Sequence, residues 1–220
     1  MQKNIFLSSE GNAWYRRNKS YLETLEPNND AIFELLLERN IRPKRVLEIG
    51  CANGRRLNNI QKVFNCECFG IDVSDEAIED GKTNFPNVAL NVAFAESLNY
   101  ENDFFDVIIF GFCLYVCDRE KLFKIAAEAD RILKNKGVII IKDFCPPFPY
   151  KNKYEHSKNM YSYKMDYCSM FTWNPAYTLT SSKVMAHNNT TEIELVDERV
   201  SLSLIFKNMD TAYQNTPDFS

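Results

Sequence analysis

The chain has 220 residues, 45% of them hydrophobic, seven cysteines and a formal net charge of −4. That length supports one good core and a single domain, and the acidic balance, without any basic block, gives a nucleic-acid partner no electrostatic support. No apolar stretch approaches the roughly 20 residues that span a membrane, and Met1 to Ser9 lacks the apolar centre of a secretory signal, so a cytoplasmic setting is expected.

Residues 1–43 read as helical. Asn12 is placed to cap a helix carrying Trp14, Tyr15 and Arg17, and the spacing of Ile32, Leu35, Leu36 and Arg39 predicts a second from Asn29 to Asn40. Val46, Leu47 and Ile49 then form a short apolar run ending at Gly50, the pattern of a buried parallel strand. Arg55 to Phe64 follows as a helix. Glycine at 50 and 54 suits a sharp turn with a ligand close to the backbone. That turn is expected to offer free backbone N–H groups and a helix N-terminus to an anionic group. Cys68 to Ile71 leads into Asp72 at the end of a second strand, and Ser74 is expected to cap a helix from Asp75 to Asn84. An acid at such a strand tip can accept both hydroxyls of a ribose. A dinucleotide fingerprint, Gly-x-Gly-x-x-Gly, would need glycine where Ala52 and Arg55 stand, so a pyrophosphate cradle is not expected.

Further strands are predicted at Val88–Phe94, Phe105–Phe110 and Val138–Lys142, the last running into Asp143. Between them Asp118–Lys134 forms an amphipathic helix that Gly137 is expected to cap. Alternating strands and helices imply a parallel sheet covered on both faces. The odd number of cysteines, several on motif positions, points to reduced thiols packed as small hydrophobes. Cys66 and Cys68 are expected on alternate faces of their strand. Asp143-Phe144-Cys145-Pro146-Pro147-Phe148 is similar to an amine-gripping motif of nucleic-acid methylation, but it follows the fifth strand and not the fourth. Its prolines are expected simply to end the strand. Phe148–Trp173 is rich in tyrosine and suits a pocket for a polar small molecule at the sheet's C-terminal edge. Tyr177–His187 and Glu198–Lys207 read as two final strands, with Asn188 to Thr191 in the connection.

Glu48, Gly50, Gly54 and Asp72 together resemble the first motifs of class I S-adenosylmethionine-dependent methyltransferases, over roughly residues 44–144. Ala52 replaces the middle glycine and is expected at negative φ. The resemblance implies an α/β fold: a seven-stranded, mostly parallel Rossmann-like sheet with helices on both faces. An N-terminal helical lid (1–43) would precede the cofactor core (44–144), followed by an aromatic acceptor-site insertion (145–176) and a C-terminal antiparallel hairpin (177–220). It implies S-adenosylmethionine as cofactor, leaving as S-adenosylhomocysteine. The implied cofactor contacts are Arg17, Glu48, Gly50, Cys51, Ala52, Gly54, Asp72, Val73, Ala95, Glu96 and Gly111. Arg17 would grip the methionine carboxylate, and Ala95-Glu96 belongs to the adenine loop, with Phe94 where many members carry an aspartate.

His156 is the candidate general base. Tyr115 is the candidate that orients the nucleophile, and Asp143 the one that accepts from an acceptor hydroxyl or amine. Tyr15, Tyr150, Tyr163 and Lys164 are the candidate acceptor contacts. The stretch from Glu10 to Asn18 resembles the N-terminus of methyltransferases from surface-polysaccharide and pseudaminic-type sugar pathways, implying a small polar acceptor such as a sugar or amino-sugar. A non-catalytic scaffold or a protein methyltransferase are the alternatives. No metal cluster is expected, and nothing specifies an oligomeric state.

Overall fold

In the computed structural model, which describes residues 2–157, 159–187, 194–213 and 215, apolar runs bounded by turn residues become strands, and amphipathic stretches between them become helices. The chain opens with α1 (Gln2–Ile5), a π-helical turn over Phe6–Glu10, α2 (Gly11–Glu23) and α3 (Ala31–Glu38). Then come β1 (Arg45–Ile49), α4 (Arg55–Phe64), β2 (Glu67–Asp72), α5 (Asp75–Asn84), β3 (Ala89–Val92) and β4 (Phe105–Gly111). After β4 the chain forms α6 (Leu122–Ile132), β5 (Leu133–Phe144), a small hairpin of β6 (Tyr150–Lys153) and β7 (Tyr161–Lys164), α7 (Ser169–Thr172), β8 (Tyr177–Ala186) and β9 (Arg199–Lys207). Seven strands join one sheet in the order β3-β2-β1-β4-β5-β9-β8. β1 to β5 run parallel, whereas β9 is antiparallel to both β5 and β8. The expected α/β sheet with its closing antiparallel hairpin is therefore present.

Strand parity sorts the core into two layers. Leu47, Ile49, Ile108, Phe110, Ile139 and Ile141 pack against Ile125, Ala129 and Ile132 of α6 and Phe171 of α7. Val46, Val107, Ile109 and Ile140 face the other way, toward Ile32 and Leu36 of α3, Leu57 and Ile60 of α4, and Ile78 of α5. Both faces are buried, which is why the strands read as unbroken apolar runs.

Several expectations need correction. Asn12 does not start a helix, because the chain is already helical through Gly11; its Oδ1 accepts instead from Ser74 Oγ at 2.8 Å, beside the N-terminus of α5. The second helix is shorter than Asn29–Asn40, since Asp30 caps it by accepting from Ile32 N–H. Helix α6 ends at Ile132, where Leu133 leaves to pair with Phe105, and Lys136, not Gly137, takes the left-handed turn at φ 67°. Gly137 is needed for close approach: a Cβ there would lie 2.6 Å from Leu133 Cδ1. Cys66 and Cys68 share a face, as residues two apart on a strand must, with their sulfurs 3.7 Å apart. β5 does stop at Phe144, two residues before the proline pair. The connection containing Asn188–Thr191 lies outside the described residues. Among the described residues no helix is long and apolar enough to cross a membrane.

Candidate active site

The turn after β1 is closed on itself. Gly50 and Cys51 N–H both donate to Ile71 O, at 2.9 and 3.0 Å, and Gly54 N–H donates to Cys51 O. Ala52 N–H donates to Asp72 Oδ2 at 2.9 Å, while Ser74 N–H donates to Asp72 Oδ1 at 2.9 Å. Gly50, Cys51, Ala52 and Gly54 N–H, four of the groups expected to be free, are therefore engaged within the protein. Ala52 sits at φ 48°, not at negative φ, because the turn that brings its N–H onto Asp72 requires the left-handed region. Burial pushes the Asp72 carboxyl up from its ordinary value, against the backbone N–H donors that favour its charge.

Above this turn lies a cleft with an empty volume of ≈ 940 Å³, counting open solvent at its mouth. Sheet order divides it. At one end, the tips of β2 and β3 contribute Asp72, Val73, Phe94, Ala95 and Glu96. Gly50 lies between, and at the other end the tip of β4 contributes Gly111, Phe112, Cys113 and Tyr115. The N-terminal segment roofs the cleft with Lys3, Phe6, Gly11 and Trp14. Gln2 fastens that roof. Its side-chain amide donates to Val116 O and Tyr161 O at 3.0 Å each, and its Oε1 accepts from Tyr161 N–H at 2.6 Å. Gln2 N–H donates to Asp118 Oδ1 at 2.8 Å. Lys3 Nζ reaches Glu96 Oε1 at 2.5 Å and sits 3.7 Å from the centre of the Phe94 ring. Farther along, Lys19 binds Asp80 at 2.7 Å and holds α2 against α5.

Of the anticipated cofactor residues, Gly50, Asp72, Val73, Ala95, Glu96 and Gly111 line the cleft, and Arg17, Glu48, Cys51, Ala52 and Gly54 do not. Arg17 is taken by Glu10 and lies 3.5 Å from Tyr154 Oη. Glu48 shares the parity of Val46 and so points to the α3–α4 layer, where Arg56 bridges it to Asp30. Burial raises the Glu48 carboxyl, with Arg56 opposing, and its Oε2 has no hydrogen-bond partner among the described residues. Cys51, Ala52 and Gly54 shape the turn from behind.

Among the candidate catalytic groups only Tyr115 reaches the cleft. Asp143 is 1% exposed, and its carboxylate accepts from Leu114 and Phe144 N–H at 2.9 and 2.7 Å, so it fastens the loop after β4 to β5. Burial pushes its pKa up to about 7, the backbone donors opposing. His156 is exposed and packs edge-on against Tyr154, away from the cleft.

The candidate acceptor contacts also lie elsewhere. Tyr15 Oη stands 3.5 Å from Asn53 Nδ2, behind the turn. The Tyr150 hydroxyl donates to Asp197, and Lys164 Nζ donates to Asp197 O at 2.7 Å. Tyr163 stacks under Arg119, 4.5 Å from the guanidinium carbon. The hydroxyl-rich insertion thus builds the fold. Sequence reading missed Lys3, Phe6, Phe112 and Cys113; the signal available was their apolar or basic character beside strand tips and in the lid.

A family model described as a methyltransferase domain matches residues 42–195. A Haemophilus influenzae protein described as uncharacterized is 28% identical over 106 residues, 46% of this chain and 42% of that protein. The demethylmenaquinone methyltransferase of Thermotoga maritima is 28% identical over 147 residues, 66% of this chain and 58% of that enzyme. The matches thus span about half the length of these curated relatives. A Burkholderia thailandensis N1-methyltransferase, solved with bound 1,6-didemethyltoxoflavin and S-adenosylhomocysteine, superposes with a TM-score of 0.72 at 14% identity. That superposition covers 94% of this chain and 89% of the other, a likeness of fold.

Proposed function

The chain belongs to the methyltransferase-domain family, and from that premise we propose that it transfers the methyl group of S-adenosylmethionine to an oxygen or nitrogen of a small molecule held in the cleft. The observation that carries this reading is Asp72, an acid at the tip of β2 whose two oxygens are held in place by Ala52 and Ser74 N–H while the side chain lines the cleft. A carboxylate fixed that way suits the two hydroxyls of a ribose. The residues fit the nucleoside in other respects. Val73, Phe94 and Ala95 offer apolar walls for a flat base, Glu96 stands beside them, and Gly50, Cys51, Ala52 and Gly54 N–H, being engaged within the protein, are not free to cradle a pyrophosphate. Bound there, S-adenosylmethionine supplies an electrophilic methyl on a sulfonium. The protein's part is to hold the acceptor in line with that methyl and to exclude water under the roof of Phe6 and Trp14.

A sugar or amino-sugar acceptor is the finer reading, resting on the N-terminal resemblance. Glu10, Asn12 and Arg17, which carry that resemblance, are engaged with Tyr154, Ser74 and one another. Calorimetric titration with S-adenosylmethionine and S-adenosylhomocysteine tests the cofactor site. Wild type is expected to bind both at micromolar Kd, and Asp72→Ala or the milder Asp72→Asn to weaken binding at least tenfold, about 1.4 kcal/mol. A folded wild-type protein that binds neither would overturn this reading and favour a scaffold role.

A further inference from the structure

Among the described residues, the acceptor half of the cleft is flat-walled, aromatic and without a free base. Phe112, Cys113 and Tyr115 form one side at the tip of β4, and Trp14 and Phe6 lie in the roof opposite. Phe112 occupies the left-handed region at φ 53°, a conformation costly for a bulky residue and retained at the cleft. Its ring is locked edge-on against Phe144 at 5.6 Å and tilted against His187 at 5.1 Å. Tyr115 is locked in the same way by Phe144 at 5.1 Å. Rigid aromatic faces of this kind favour a planar ring as guest.

The titratable groups of the cleft are each occupied or held protonated. Lys3 and Glu96 pair with one another, Asp72 binds the turn, and Asp118 accepts from Gln2 and Lys3 N–H. Lys121 pairs with Glu120 at 3.2 Å. Burial raises the Tyr115 hydroxyl and the Cys113 thiol well above their ordinary values and pushes Cys117 up to about 12. Neither described histidine, His156 nor His187, lines the cleft. An aliphatic hydroxyl or an ammonium bound there would find, among the described residues, no unengaged group to take its proton.

Resting on the reading above, we propose that the acceptor is a planar, unsaturated ring compound that arrives with its nucleophilic electron pair free: a heteroaromatic ring nitrogen, or a ring hydroxyl acidic enough to be ionised near neutral pH. The acceptor's lone pair forms the new N–CH3 or O–CH3 bond as the S–CH3 bond breaks. The electron pair of that bond stays on sulfur, which becomes the neutral thioether. An anionic oxygen ends as a neutral ether. A ring nitrogen takes over the positive charge, or loses its own N–H proton to water. No protein base enters the balance.

The test uses the full chain and separates the two readings. S-adenosylhomocysteine binding is measured first. Next, transfer of labelled methyl from S-adenosylmethionine is followed with isoquinoline and 4-nitrophenol as planar probes, and with methyl glucoside and glucosamine as sugar probes. In parallel, Trp173→Phe, which removes an indole 72% exposed and outside the cleft, leaves Trp14 as the sole tryptophan, read by exciting beyond the tyrosine absorption band. The expected result is quenching of Trp14 by at least one planar probe, with methyl transfer to it. Phe112→Ala should weaken that probe at least tenfold and S-adenosylhomocysteine by less than about twofold. Phe112→Leu, which keeps bulk but not the ring, gives the same comparison if the alanine variant fails to fold. S-adenosylhomocysteine binding combined with methylation of a sugar probe, or with no quenching by either planar probe at millimolar concentration, overturns the acceptor class alone. Failure to bind S-adenosylhomocysteine removes the methyltransferase reading and this proposal with it.

Discussion

Phe112 concentrates the conflict between stability and use at one position. It follows β4 directly, its N–H donates to Lys142 O at 2.8 Å, and its backbone lies at φ 53°. A non-glycine residue in that region costs roughly 1–2 kcal/mol. Phe112→Gly and Phe112→Ala both remove the ring, but only glycine removes the strain. The glycine variant should therefore be the more stable of the two by about 1 kcal/mol in urea unfolding, although glycine ordinarily weakens a chain through its unfolded state. Equal stabilities, or the reverse order, would show that the φ is not strained in solution. Such a position was not legible in the sequence, because the turn depends on β4 meeting β5. Glu48 is a different case: the strand period already puts it on the face of Val46, and only the weight given to its motif placed it at the cofactor. Asp72 was legible as a strand tip, whereas its bonds to Ala52 and Ser74 N–H emerge only in the structure.

Helix α2 is held by apolar packing of Tyr15 and Leu22 with Ala52 and Ala77, and polar contacts to α5 make its docking depend on pH. Lys19 Nζ and Asn53 Nδ2 reach the two oxygens of Asp80 at 2.7 and 3.0 Å. Burial works against this carboxylate, but the Lys19 ammonium, Asn53 and the Tyr15 hydroxyl outweigh it and hold its pKa at about 2, below the ordinary 3.8. A depressed carboxyl stabilises the docked state fully above the unfolded value and loses that effect as pH falls through the folded one. Amide exchange in α2 should therefore accelerate relative to the sheet as pH is lowered from about 4 to 2. After discounting for solvent screening, Asp80→Asn should cost only about 0.5–1 kcal/mol at neutral pH. An α2 whose relative protection is unchanged across that window would show that the pair does not hold α2 against α5. Helix α5 was predicted to the residue because Ser74 and its first-turn acids act locally, Ser74 Oγ accepting from Ala77 N–H. The ends of α6 and β5 were misjudged because Leu133 leaves the helix to pair with Phe105, a partner no local pattern announces.

Across the whole molecule, the sheet and the roof are specified by different means. Apolar runs separated by helical stretches foretell the strands, and the parallel sheet with its final hairpin follows from them. The roof depends on Gln2 meeting Tyr161, a separation of 159 residues, and no periodicity encodes it. The cleft between sheet and roof is therefore where ligand binding and global stability meet. A ligand that fills it binds the folded state alone and adds RT ln(1 + [L]/Kd), about 2.7 kcal/mol at a hundred times Kd. For a chain of this length that corresponds to a rise in Tm of about 5–10 °C. S-adenosylhomocysteine should produce this rise and extend it as concentration increases, whereas NAD should produce none, because Gly50, Cys51, Ala52 and Gly54 N–H are all engaged within the protein and not free for a pyrophosphate. Gln2→Ala should lower the starting Tm and weaken S-adenosylhomocysteine together, since docking the roof would then draw on the ligand's binding energy. If Gln2→Ala lowered Tm but left Kd unchanged, the roof would be part of the fold and no part of the binding site.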